Sequence, residues 1–199
     1  MKLKEHQITL QGEGLVLRPM TEDDWDILLK WNSDPEVLYY TEGDNITSWN
    51  LEEVQGIYRW VSQTAFCFII EVGGMSIGEC WLQQMNLERI LEKYPNADCR
   101  RIDLMLGEKA FWGQGLGTEA IRLLTELAFE GEKADLVFGC EIADYNPASQ
   151  KAFQKNGYKI DSKISQPPGD KAKECYDLKK INPLYSRETE NRKESNSAE

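Results

Sequence analysis

Histidine is almost missing from this 199-residue chain, with His6 as its single copy. That leaves no natural partner for a Ser-His or Cys-His nucleophile and no basis for a histidine-rich metal site. His6 itself is expected in a loose N-terminal stretch. Paired cysteines are missing too. Cys67, Cys80, Cys99, Cys140 and Cys175 are scattered without a CxxC, and read as reduced, mostly buried thiols of a cytoplasmic protein, not as disulfides or zinc ligands. No apolar run approaches the roughly 18 residues of a membrane span, and "MKLKEHQITL" has no apolar signal segment. Basic charge is the minority sign: 23 Lys and Arg stand against 34 Asp and Glu, a net charge of −11. Such a field repels nucleic acid, and no basic stripe interleaved with aromatics offsets it. It attracts a cationic substrate, although acidity also simply keeps a protein dispersed.

What is present suits one soluble domain. Hydrophobic residues make up 41% and charged residues 29%, as in ordinary globular chains. Residues 1–183 read as a single domain, and 184–199 as a polar, disordered tail. "GLVLRP" (14–19) alternates like a strand. Thr21 and Asp24 form an approximate capping box for a helix carrying Trp25, Leu28 and Leu29 on one face. A second helix starts after Asp34-Pro35, and a third covers about 50–63. "FCFIIEV", Gly73-Gly74 and "MSIGECWL" spell a hairpin. Residues 84–97 form a polar excursion with a weak helical pattern. "RRIDLML" (100–106) is a strand, followed by a glycine-rich turn and a helix over about 118–130 that Gly131 terminates. A strand (136–142), a short helix (147–156) and two last strands (near 157–164 and 175–181) complete an α/β or α+β mixed sheet with helices on both faces.

The turn "FWGQGLGTEAI" (111–121) allows three readings beyond a glycine bend that merely permits tight packing. An ATP-binding P-loop is excluded, since no Gly-Lys-Ser/Thr follows. Gly115, Gly117 and Ala120 satisfy a dinucleotide fingerprint, but that pattern normally opens repeated strand–helix units, and one unit follows here. The third reading is a main-chain cradle for a pyrophosphate. The helix mouth leaves N–H groups unpaired at its positive end, and glycines let them close around an anion.

The run Trp112-Gly113-Gln114-Gly115-Leu116-Gly117 resembles the Q/R-x-x-G-x-G/A pyrophosphate loop of the GNAT acetyltransferases, with Trp112 in place of the usual first Gln or Arg. A second stretch, from Asn146 through Ser149, Phe153 and Lys155 to Gly157-Tyr158, resembles that family's N-x-x-S-x-x-x-Y-x-K-x-G-F. The resemblance implies a GNAT fold: a central, mostly antiparallel sheet splayed between strands 4 and 5. It implies acetyl-CoA as co-substrate, with no metal. Met105, Leu106, Trp112, Gly113, Gln114, Gly115, Leu116, Gly117 and Thr118 would then hold the donor, together with Asn146, Ser149 and Phe153 along the pantetheine. Thr118 opens the helix, and Ser149 either lies beside the pantetheine or caps the short helix.

Segments such as "ILLKWNSDPEVLYY", "SIGECWLQQM" and "KECYDLKK" are similar to the aminoglycoside 6'-N-acetyltransferases over roughly 14–182. That resemblance implies Asp103 as the acid that takes the amine's proton or orients the amine, and Glu141 as a second acid holding a cationic acceptor. Alternation leaves Asp103 out of phase with Ile102, Leu104 and Leu106, and Glu141 opposite Leu136, Phe138, Cys140 and Ile142. Backbone N–H groups near Met105 and Leu106 are the expected oxyanion donors. Tyr39, Tyr40, Glu42, Asp44, Trp49, Trp81, Glu88, Glu92 and Asp98 supply acids and aromatics suited to a polycation. Among these, Tyr40, Trp49 and Asp98 are the expected contacts.

Two departures matter. Phe153 stands where a tyrosine often protonates the leaving thiolate, so the thiolate leaves unaided, takes a proton from water, or uses Tyr145 or Tyr158. Leu104 stands where resistance enzymes often carry glutamine, which keeps other amines in view: a protein N-terminus, a polyamine or a siderophore-type amine. A catalytically silent acetyl-CoA-binding module is the remaining alternative. The working unit is expected to be a monomer or homodimer.

Overall fold

Gly73 and Gly74 sit at φ of 58° and 81°, the positive values that a two-residue hairpin turn requires. They join β3 (Ala65–Val72) to β4 (Met75–Gln84), as the sequence predicts. The computed structural model describes residues 1–185 except 43–45 and 47. Among the described residues, eight strands form one sheet in the order β1-β2-β3-β4-β5-β6-β8-β7. The first, β1 (Leu10–Gln11), is a two-residue strand absent from the sequence reading. It pairs with β2 (Val16–Pro19), so the expected strands 4 and 5 are β5 (Cys99–Leu106) and β6 (Leu136–Ala143). β7 (Lys159–Ser165) and β8 (Glu174–Ile181) close the order.

All neighbouring pairs are antiparallel except β5 and β6. Their parallel ladder joins Cys99–Arg101 to Leu136–Phe138 and goes no further. Ile102–Leu106 therefore pairs with β4 on one side only, leaving alternate main-chain groups of its other edge without a ladder.

The sheet is covered on both faces. α5 (Leu116–Glu126) and α6 (Pro147–Lys155) lie on one, where Ala120, Ile121, Leu124 and Phe153 pack with Phe68, Leu82 and Ile102. On the other lie α1 (Trp25–Trp31), α2 (Pro35–Thr41) and α3 (Leu51–Val61), whose Trp31, Val54 and Tyr58 pack against Cys67, Ile69 and Met105. Their starts are written locally. Asp34 accepts from the Glu36 amide at 2.9 Å ahead of Pro35, and Asn50 and Glu53 form a reciprocal capping box. Trp31, unremarked in the sequence, is fully buried, whereas Trp25 and Leu29 are partly exposed. A Cβ on Gly107 would lie 2.0 Å from the Trp31 ring, so this glycine lets α1 seat against the end of β5.

Several expectations change. The N-terminus is tied down: Leu3 is buried, the Lys4 amide donates to Ser62 Oγ (3.0 Å), and His6 Nε2 lies 2.8 Å from Cys67 O. Burial lowers the His6 pKa, against the opposing hydrogen bond. The helix after the glycine turn passes at Leu127–Gly131 into a π-turn, and the left-handed residue behind it is Lys133 (φ 59°), not Gly131. The excursion contains a short helix, α4 (Glu88–Lys93). The alternation along β6 breaks at Glu141, as described below. The expected tail starts two residues too early, since 183–185 form a helical turn with the Leu184 amide donating to Asn182 Oδ1 (3.0 Å); Asp44 and residues 186–199 lie outside the described residues. Among the described residues no helix is long and apolar enough to cross a membrane.

Candidate active site

The glycine turn builds one end of a large cleft. Gly113 and Gly115 adopt φ of 76° and 85°, a region that residues bearing a Cβ rarely enter. The first backbone bond at the helix mouth runs from the Glu119 amide to Gly115 O (3.1 Å). The amides just before it are therefore not used by the helix and sit at its positive end. A Cβ on Gly117 would press on Leu104 Cδ1 at 3.3 Å. Trp112 closes the turn from below by donating its Nε1 proton to Leu106 O at 2.7 Å, so the missing Gln or Arg is replaced by a side chain that fixes the strand end. This cradle of bare main chain fits a pyrophosphate.

From there the cleft, about 1040 Å³, runs between β5 and β6 and beneath α2 and α3. Met105, Leu106, Trp112, Gly113, Gly115, Gly117 and Thr118 all line it. So do Asn146, Ser149 and Phe153 from the second motif, and Asp103, Glu141 and Tyr40. Leu116 and Gln114 do not. They face a smaller hollow of about 270 Å³ outside the turn, shared with Thr118 and Lys155, and Gln114 Nε2 donates to Ala110 O (2.8 Å).

The second motif is used differently from expectation. Asn146, not Ser149, caps α6: its Oδ1 accepts from the Ser149 amide (3.1 Å), and its Nδ2 donates to Tyr40 O (3.2 Å). Both ends of the amide are thus engaged within the protein. Phe153 is buried, edge-on to Tyr158, and lies where a Cβ on Gly139 would touch its ring at 2.5 Å. Tyr158 shares a 2.7 Å hydrogen bond with Thr125 and does not line the cleft; burial raises its pKa. Of the two tyrosines weighed for the leaving thiolate, Tyr145 is the one at the cleft, with its hydroxyl 3.3 Å from Glu42 O.

Asp103 is half-buried, and both its oxygens are taken. Arg101, two residues back on the same strand face, donates Nε to one and Nη2 to the other, each at 2.8 Å. Burial opposes the Arg101 charge, but the Asp103 carboxylate overrides it and raises the guanidinium pKa. Glu141 occupies a β-bulge. The register between β6 and β8 gains a residue between Gly139 and Ile142, and Glu141 itself has φ 55°. Its amide donates to Asp177 Oδ1 (2.9 Å), and the buried Asp177 also takes two nitrogens of Arg89. The bulge sends Ile142 to the α5 face, opposite Leu136, Phe138 and Cys140. Glu141 stays exposed, within 3.5 Å of Arg89.

Asp98 and Trp49 are not brought to the cleft. Asp98 lies beyond the far end of β5, paired with Arg100 (2.8 Å). Trp49 packs among the residues under α1 and α3, its amide donating to Asn32 O (2.8 Å). Sequence reasoning missed Glu79. It is 3% exposed, faces α3 from β4 opposite Met105, and lines the cleft. Burial raises its pKa well above the carboxylate range, Asp103 and Glu42 add to the rise, and the Tyr58 hydroxyl opposes it. Burial likewise raises Glu42, against the Trp49 side chain. Glu79 follows Gly78 within "SIGECWL", where an acid between apolar residues is a signal in itself.

Residues 14–159 match the model of the acetyltransferase (GNAT) domain. The chain belongs to the GNAT acetyltransferase family. This GNAT chain is 24% identical over 170 residues to the aminoglycoside N(6')-acetyltransferase type 1 of Klebsiella pneumoniae, covering 81% of this chain and 82% of that protein. Its fold superposes on the aminoglycoside acetyltransferase AAC(6')-Ib in complex with ribostamycin and coenzyme A (TM-score 0.72, 21% identity, 88% and 97% of the two chains). It also superposes on spermidine N-acetyltransferase from Vibrio cholerae in complex with CoA and spermine (TM-score 0.70, 13% identity, 86% and 98%). The mixed, mostly antiparallel sheet with helices on both faces is the GNAT fold.

Proposed function

We propose that this GNAT enzyme transfers the acetyl group of acetyl-CoA to a primary amine of a small cation, the 6'-amine of an aminoglycoside being the acceptor its relatives suggest. One observation carries the reading: the glycine turn and an acid-bearing floor open into the same cleft. Gly113–Thr118 would grip the diphosphate, and the unpaired edge of β5 beside Met105 and Leu106 would offer N–H groups to the developing oxyanion. The polar tip of Asp103, fixed by Arg101, would orient the amine, with Glu141 and Tyr40 along the acceptor's path. The free thiols, four of them buried, suit a reducing compartment such as the cytoplasm.

A panel of amines tests this by release of the CoA thiol: kanamycin, tobramycin, spermidine and N-terminal peptides. An aminoglycoside preference is expected, and a spermidine or peptide preference would move the acceptor class. Asp103→Asn should lower kcat/KM by roughly 10- to 100-fold. An unchanged rate removes Asp103 from the site. Acetyl-CoA binding by calorimetry, without thiol release from any amine, would instead mark a silent binding module.

A further inference from the structure

An amine attacks a thioester only as the free base, so something in the cleft must take a proton from the acceptor. Both Asp103 oxygens already accept from Arg101 at 2.8 Å. Glu79 differs. Its Oε2 is buried without a hydrogen-bond partner among the described residues, in a side chain 3% exposed that lines the cleft floor. Two residues along the same face of β4, Trp81 Nε1 is likewise buried and unpartnered, and Trp81 also lines the cleft. A fold rarely leaves an acceptor and a donor orphaned side by side unless a polar ligand completes them. The floor beneath them is packed and hydrogen-bonded: Tyr58 stands edge-on to Trp81 at 6.1 Å, and its hydroxyl accepts from Asn32 Nδ2 at 3.1 Å.

Resting on the acetyl-transfer reading above, we infer that Glu79 is the base that takes the proton of the acceptor's ammonium group, while the Asp103–Arg101 pair holds the acceptor beside it. R–NH3⁺ gives one proton to the Glu79 carboxylate and becomes R–NH2. The nitrogen lone pair forms the C–N bond at the thioester carbonyl, and the C–S bond breaks with its electrons on sulfur. The second N–H proton ends on that sulfur, giving amide and CoA thiol, and Glu79 sheds its proton to solvent as the site empties. Burial suits the task, since it brings the basicity of a carboxylate toward that of an amine. The groups facing Glu79 are Tyr58 from α3, Asp103 from β5, Glu42 after α2 and Cys67 from β3. Arg101 is spent on Asp103.

The test is the pH dependence of kcat/KM for thiol release, with two acceptors whose amines differ in pKa. In the unsubstituted enzyme, an acid limb that stays in place between the two acceptors is expected. A limb that follows the acceptor amine overturns the inference, and this comparison needs no variant. Glu79→Gln should lower kcat/KM by roughly 10²-fold or more, abolish the fixed limb and leave acetyl-CoA binding by calorimetry unchanged. Glu79→Asp should restore part of the limb. Asp103→Asn should move it to lower pH, because a negative neighbour has been removed. A Glu79→Gln enzyme with normal kcat/KM or an intact fixed limb sinks the inference while the acetyltransferase reading stands. An unsubstituted enzyme that binds acetyl-CoA but acetylates no amine sinks both.

Discussion

At the glycine end of the cleft, Gly113, Gly115 and Gly117 line the opening with bare main chain. At the opposite end the lining groups are side chains: Glu79, Trp81, Asp103 and Tyr58. The difference decides what each end tolerates. A cradle of backbone depends on φ values and bare Cα atoms, so it survives Trp112 in place of Gln or Arg but not a Cβ at Gly115. A floor of side chains depends on identity and on neighbours: the same carboxyl chemistry gives an acid with both oxygens on Arg101 at Asp103 and one with Oε2 left unpartnered at Glu79.

The sharpest way to break this contrast is Gly115→Val. Its φ of 85° makes a β-branched side chain cost on the order of 1–3 kcal/mol. Acetyl-CoA affinity measured by calorimetry should fall ~10- to 100-fold, with the acceptor KM little changed. Equal losses for donor and acceptor would show that the two ends are not separate. Next comes the acceptor side. Asp177→Asn weakens the anchor that holds the Glu141 bulge and Arg89. Unfolding in urea should show a loss of about 1–3 kcal/mol, and the acceptor KM should rise while acetyl-CoA binding holds. An unaltered acceptor KM would remove Glu141 from the acceptor's path. The smallest effect is expected at Gln114→Ala, within about 0.5 kcal/mol in acetyl-CoA affinity, because that side chain bonds Ala110 O outside the turn. A large loss there would mean that a side chain, and not backbone alone, holds the donor.

The same contrast governs how much could be read beforehand. Glycines at 113, 115 and 117 leave a local trace in the sequence, so the turn itself and the helix behind it are legible. The Gly73-Gly74 hairpin and the Asp34-Pro35 helix start are legible for the same reason. The acid-bearing floor is assembled across β4, β5 and α3, and no spacing along the chain records which faces meet. Glu79 and Trp81 become neighbours of Asp103 only through the register of β4 with β5. Strict alternation placed Glu141 opposite Ile142 on a regular strand, yet the extra residue of the bulge is invisible without β8 alongside. Asp98 looked attractive for its charge. It falls at the wrong end of β5 because a strand of eight residues separates its two ends by roughly 25 Å.

The acid-bearing floor also bears on turnover. The reacting amine enters as an ammonium group, held by carboxylates that its charge screens from one another; that nitrogen leaves as an uncharged amide, while the other amines of a polycation keep their charge. Acetylation therefore removes the positive charge at the reacting nitrogen, and with it that nitrogen's attraction to the carboxyl groups of Asp103, Glu42 and Glu79. Such a cleft holds its product less tightly than its substrate, and inhibition by the acetylated compound should be weak compared with that by an unreactive cation of the same shape.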